Sequence, residues 1–224
     1  MSYDNCLANI AARAIDKGYD NDEFTVNKNG WVVETLDVYD FHISLKITKN
    51  NNVTYMLCHE GTQTADQIMT DLNAMNNNRR KKVNGMKGQI LKDMWDEFVK
   101  YKYIYDQFLS KVSELGGGEV ILTGHSLGGA VAGIAGAYYN VKSILFAPIP
   151  FMVHKNWLKN YTNKPKTYVN KEDRCVGDAG KAGQINWSIS KHYAVNYINN
   201  GHWSTCHSIS TFVNYFRNRT GNLC

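Results

Sequence analysis

Apolar residues recur at helical spacing near the start of the chain. Leu7, Ile10, Ala11, Ala14 and Ile15 fall on one face of Asp4–Lys17, and Asp4 stands where a side chain can cap, so the spacing predicts a short amphipathic helix. The period then changes. WVVETLDVYDFHISLKIT is rich in β-branched and aromatic residues, and VTYMLC follows after the turn Asn50-Asn51-Asn52, which predicts neighbouring antiparallel strands. From Gly85 to Leu115 helical spacing returns in Ile90, Leu91, Met94, Trp95, Phe98, Val99, Tyr105, Phe108, Leu109 and Val112, with Gly116-Gly117-Gly118 as its stop. EVILTG then reads as a short apolar strand, LGGAVAGIAGAYY as a small-residue helix and VKSILFAPIP as another strand. Strand, helix, strand is a βαβ unit and implies a parallel sheet. KTYVN adds a strand and HSISTFVNYFRNR closes the chain as a helix.

No Pro-rich, Ser-rich or low-complexity stretch divides the 224 residues, so one domain over residues 1–224 is expected. Hydrophobic residues at 43% and charged residues at 20% suffice for a packed core. The expected fold class is α/β: a mostly parallel central sheet flanked by helices, with antiparallel strands at its N-terminal side.

Charge changes this picture little. The net charge of +5 is dispersed except at Arg79, Arg80, Lys81 and Lys82, a run that reads as a solvated loop, as a transient contact for an anionic membrane surface, or as a localisation signal. Nucleic acid is not an expected partner, because the sequence has no zinc finger, aromatic RNP signature or basic heptad helix. The five cysteines, Cys6, Cys58, Cys175, Cys206 and Cys224, are odd in number and irregularly spaced, so reduced thiols are expected. The first twenty residues carry acids and no apolar h-region, and no stretch is long enough for a membrane span. A cytoplasmic location is expected.

Candidate chemistry centres on Gly124-His125-Ser126-Leu127-Gly128-Gly129, a G-x-S-x-G motif set between a predicted strand and a predicted helix. A strand turning sharply into a helix holds its serine in a strained conformation, and side chains two residues away on either side would crowd it. Ser126 is therefore the candidate nucleophile of an α/β-hydrolase fold. The helix N-terminus and the Leu127 N–H stand beside it to stabilise a developing oxyanion. In this fold the acid follows the serine and the histidine follows the acid. Only Glu172, Asp173 and Asp178 qualify as acids, followed by His192, His202 and His207. Asp173 directly follows the strand KTYVN and is the preferred acid; Asp178 reads as a turn former in GDAGKAG and Glu172 as a solvated group. His207, immediately before the closing helix, is preferred to His202, and His192 comes last.

With these motifs placed, the chain resembles the class 3 lipases, the fungal lipase-like family of α/β-hydrolases. The resemblance runs from about Val53 to the closing helix and rests on GHSLGGA, HEGTQTADQIMTDL, YVNKEDRCVG and a histidine before a terminal helix. It implies that Thr62 supplies one oxyanion donor and the Leu127 N–H the other, that Asp71 braces the loop, and that Asp173 and His207 complete the triad. Two departures stand out. Glu60 replaces the family's usual Arg before Gly-Thr, and VNGMKG stands where Val-His-x-Gly-Phe is common. Where fungal lipases carry an amphipathic lid this chain has NAMNNNRRKK, polar and basic, which favours smaller esters or anionic phospholipids over triglycerides.

The expected activity is that of a serine carboxylic ester hydrolase, a lipase, phospholipase A1 or esterase acting through an acyl-enzyme. The same triad also serves acyl transfer and thioester or amide hydrolysis, and a catalytically silent hydrolase fold would serve as a binding protein. No metal or organic cofactor is expected: HExxH and CxxC are absent, and His202, Cys206 and His207 read as a coincidence rather than a zinc site.

Overall fold

The opening helix, α1 (Tyr3–Gly18), is capped by Ser2, whose hydroxyl accepts the Asn5 N–H at 3.3 Å. Asp4 is not the cap. It lies in the first turn, where its charge complements the helix dipole and pairs with Lys166 and Lys142. The computed structural model describes residues 2–62, 80–82, 89–149, 151, 153, 157, 160–163, 165–170, 173, 195–198 and 207–220.

An eight-stranded sheet forms the centre of the molecule. Its first four strands, β1 (Val26–Lys28), β2 (Trp31–Tyr39), β3 (His42–Lys49) and β4 (Asn52–His59), form an antiparallel meander. Lys49 pairs with Asn52 across the two-residue turn Asn50-Asn51, and both turn residues have positive φ, 50° and 65°. Asparagine is among the few residues other than glycine that adopt that conformation readily, and such a turn matches the strand twist. Strand β4 then pairs in parallel with a later strand, and this is the switch point of the sheet.

A small two-stranded sheet intervenes, β5 (Arg80–Lys82) with β6 (Gln89–Leu91). Three residues of the basic run are thus strand, not loop. The long helix α2 spans Lys92–Glu114, so it starts later than the sequence spacing suggested: Ile90 and Leu91 pair in β6. Its stop is as expected. Gly116 and Gly117 have φ of 94° and 76°, and the Gly117 N–H returns to the Val112 carbonyl at 2.9 Å.

The remaining strands are all parallel: β7 (Glu119–His125), β8 (Lys142–Phe146), β9 (Lys166–Asn170) and β10 (Val195–Ile198), in that order outward from β4. Helix α3 (Ser126–Tyr139) joins β7 to β8, and α4 (Ile209–Thr220) closes the described chain.

Both faces of the sheet are buried, which is why its central strands are continuously apolar. Met56, Cys58, Ile121 and Phe146 face α1 and α4, together with Leu7, Ile10, Phe212 and Phe216. Tyr55, Leu57, Leu122 and Leu145 face α2 and α3, against Phe98, Tyr105, Val131 and Ile134. On the first face the Asn9 amide donates to the Thr220 hydroxyl at 2.6 Å, a buried link between α1 and α4. Cys6, in α1, is disulfide-bonded, against the expectation of reduced thiols; its partner lies outside the described residues. Cys58 is free and buried, and burial pushes its thiol pKa up. No helix among the described residues is long and apolar enough to cross a membrane.

Candidate active site

Strand β7 ends at His125 and α3 begins at Ser126, with no linker. The chain makes this reversal by placing Ser126 at φ 56°, a strained conformation for a serine and one that lifts its side chain off the strand edge. The flanking glycines have a measurable reason. A Cβ at Gly124 would meet the Gly128 carbonyl oxygen at 2.3 Å, and one at Gly128 would meet the Glu60 carbonyl oxygen at 1.8 Å. Helix α3 therefore lies against the end of β4 at a distance that only glycine allows.

His207, two residues before α4, reaches this serine from the far end of the chain. Its Nε2 is 2.8 Å from Ser126 Oγ and its Nδ1 is 2.8 Å from Asp173 Oδ2. A carboxylate only accepts, so Nδ1 carries the hydrogen and Nε2 is left to accept from the serine hydroxyl. Asp173 has a side chain fully removed from solvent, whereas that of His207 is 26% exposed. The acid is thus sealed behind the ring, and the ring edge stays open to an incoming molecule. A turn in which the Asp173 N–H donates to the Asn170 carbonyl at 3.1 Å holds the acid just beyond the end of β9.

The loop after β4 brings Gly61 and Thr62 to the same place. A Cβ at Gly61 would lie 3.0 Å from Ser126 Cβ and 3.1 Å from His125 Nδ1, so this loop and the serine are in close approach. Leu127 is in the first turn of α3, where His125 provides no side-chain cap and no acidic residue stands within the turn. The first N–H groups of a helix have no partner within it.

Ser126, Asp173 and His207 are therefore brought into one hydrogen-bonded row, with Thr62 and Leu127 on the two segments that flank it. Glu172, Asp178, His192, His202, Asp71 and Arg79 lie outside the described residues, as do the side chains of Arg80, Lys81 and Lys82. Among the described residues no group of three or more His, Cys, Asp and Glu side chains could hold a metal ion. Two residues touching the site were not singled out from sequence: His125, inside the motif itself, and Tyr19, at the end of α1. The histidine was visible as the x before the serine, but nothing in the sequence pattern points to a tyrosine on another element.

A mixed sheet with helices on both faces, and a serine at a strained strand-to-helix turn, define an α/β-hydrolase. Residues 56–150 match the lipase (class 3) family. Solved structures agree on the fold. Lipase II from Rhizopus niveus is 17% identical, with a TM-score of 0.58 over 80% of this chain and 74% of that one. The MDLA protein of Penicillium cyclopium is 15% identical, with a TM-score of 0.57 over 94% and 86%. A further fungal lipase is 16% identical, with a TM-score of 0.55 over 92% and 82%. No curated protein matches. Over the matched segment the chain is similar to the class 3 lipases, and it shares the fold of the fungal lipases.

Proposed function

We propose that the protein hydrolyses acyl esters through an acyl-enzyme formed on Ser126, with His207 as general base and acid and Asp173 as the group that orients it. The observation that carries this reading is the row from Ser126 Oγ to His207 Nε2, and from Nδ1 to Asp173, at 2.8 Å in both links. His207 takes the serine proton as Oγ attacks the ester carbonyl. The negative charge moves to the carbonyl oxygen, which the Leu127 N–H and Thr62 stabilise. Collapse expels the alcohol, to which His207 returns the proton. A water, deprotonated by the same imidazole, then attacks the acyl-enzyme, and the acid leaves as Ser126 regains its hydrogen.

For substrate we propose smaller acyl esters or anionic phospholipid esters. The polar, basic stretch NAMNNNRRKK supports this over a triglyceride, because such residues offer little apolar cover for a fatty chain and attract anionic head groups. The test is initial-rate hydrolysis of p-nitrophenyl butyrate and p-nitrophenyl palmitate by the wild type and Ser126→Ala. Loss of turnover in a folded mutant, with the butyrate ester preferred, is expected. Equal rates in the two proteins would remove Ser126 from the mechanism.

A further inference from the structure

A second chain of hydrogen bonds, separate from the Ser126, His207 and Asp173 row, ties together three segments of the site. The Gly61 N–H donates to the Tyr19 hydroxyl oxygen at 2.6 Å. That oxygen lies 2.8 Å from His125 Nδ1, and His125 Nε2 lies 2.6 Å from the backbone carbonyl of His207. Donor and acceptor roles follow in one sense only. A carbonyl oxygen accepts, so Nε2 carries hydrogen; a neutral imidazole then has its lone pair at Nδ1, so the tyrosine O–H donates to it. The hydroxyl lone pair is left for the Gly61 N–H.

The chain needs a neutral His125, because a proton on Nδ1 would turn the tyrosine contact from acceptor into competing donor. Burial, together with the neighbouring His207, lowers the His125 pKa to about 3, so the ring remains neutral across the range in which a serine hydrolase works. Tyr19 is itself fixed: it is the C-cap residue of α1, and its N–H bonds the Ile15 carbonyl at 3.2 Å. Helix α1 is anchored by core residues such as Leu7 and Ile10, both fully buried. A Cβ at Gly61 would lie 2.2 Å from the Tyr19 hydroxyl oxygen, so the loop accommodates this contact only by carrying glycine there.

We propose that Tyr19 and His125 are positioning residues, which set the places of the Gly61-Thr62 loop and of His207 relative to Ser126 Oγ. The inference rests on the serine hydrolase reading given above. His207 is held at two points: its ring by Asp173 and its backbone carbonyl by His125. Releasing the second leaves the ring free to pivot about the first. A displacement of about 1 Å at a reacting group is enough to cost on the order of a hundredfold in rate.

The test uses the rate at which a fluorophosphonate labels Ser126, alongside kcat and KM for p-nitrophenyl butyrate, each per folded molecule. Tyr19→Phe removes one oxygen and keeps the ring. We expect labelling and kcat to fall by about tenfold or more, with KM within about twofold. His125→Gln, which retains an amide N–H for the His207 carbonyl, should recover part of the rate that His125→Leu loses. Wild-type labelling and kcat in Tyr19→Phe would overturn the proposal even if its melting temperature dropped. Should that variant fail to fold, equal rates for the Gln and Leu variants at His125 would overturn it instead. Failure of the hydrolase reading shows separately, as a wild type that does not label or a Ser126→Ala that still does.

Discussion

The Asp173 carboxylate, with none of its side chain exposed, accepts the Nδ1–H of His207 at 2.8 Å while the other edge of the ring faces the serine. Substituting Asp173→Asn keeps the shape but can present an N–H to Nδ1, which favours the tautomer with its hydrogen on Nε2. The serine then has no base. We expect kcat to fall by about a thousandfold or more with KM little changed. A steady-state comparison at matched folded protein checks this.

A buried histidine pair lies on the α2 side of the sheet. The rings of His42 and His59 sit 3.9 Å apart, beside Tyr101 and Tyr105. Burial lowers the His42 pKa to about 4, and burial, with the neighbouring His42, lowers that of His59 well below its ordinary value. A histidine with a depressed folded-state pKa binds its proton more readily when unfolded. Stability is therefore fully present above the unfolded value near 6.5 and falls as pH drops toward 4. The contribution of His42 is about 3 kcal/mol. Melting temperature followed from pH 7 to pH 4 should fall steeply, and His42→Phe should flatten the curve. That substitution removes a buried Nε2 with no hydrogen-bond partner among the described residues but also the Nδ1 contact with the Asp40 carbonyl at 2.9 Å, so stability at pH 7 should fall by about 1 kcal/mol. An unchanged pH slope in the variant would refute the assignment.

The approach of α3 to the end of β4 predicts an intolerant position. A Cβ at Gly128 would face two backbone carbonyl oxygens, those of Glu60 and His59, at 1.8 and 2.5 Å. Neither can swing aside as a side chain would. Gly128→Ala should cost more than about 4 kcal/mol or leave no soluble folded protein. Thermal melts of any soluble fraction, with Gly117→Ala as a milder comparison, measure this. At Gly117 a Cβ meets nothing within 4 Å, although φ is 76°.

Reduction should weaken the fold through Cys6, which is disulfide-bonded, and not through Cys58, which is buried and free. Cross-links of this kind contribute about 2–4 kcal/mol, largely by restricting the unfolded chain. Addition of a phosphine reductant is expected to lower the melting temperature of the wild type but not that of Cys6→Ser.

Much of this architecture could be read from local pattern. The strands β2 to β4, the glycine stop of α2 and the strand-to-helix turn at Ser126 all depend on residues close in sequence, where periodicity and turn chemistry act directly. The row of Ser126, Asp173 and His207 was accessible because chain order left only three acids and three histidines to choose from. What escaped was set at a distance. Tyr19 and His125 are separated by 106 positions, and no spacing rule connects them. The start of α2 was misplaced because Ile90 and Leu91 suit an apolar helix face as well as a strand. The cap of α1 went to Ser2 because its hydroxyl, one position before the helix, reaches the Asn5 N–H, which Asp4 inside the first turn is badly placed to do.

The hydrogen bond from Asn9 to Thr220 spans 211 positions, and it bears on the order in which the molecule assembles. The meander needs only neighbouring strands, so it can pair while the chain is still being made. Helix α1 can lay part of its apolar face on β3 and β4 early, but Phe212 and Phe216, which complete its cover, are among the last described residues to be synthesised. A ribosome-bound chain thus carries an α1 that is only partly covered until translation is almost complete, the interval in which it most needs protection from aggregation. The same adjacency brings the two ends of the described chain together, so a circular permutant that joins them and opens the Asn50-Asn51 turn would allow α1 and α4 to pair from the outset.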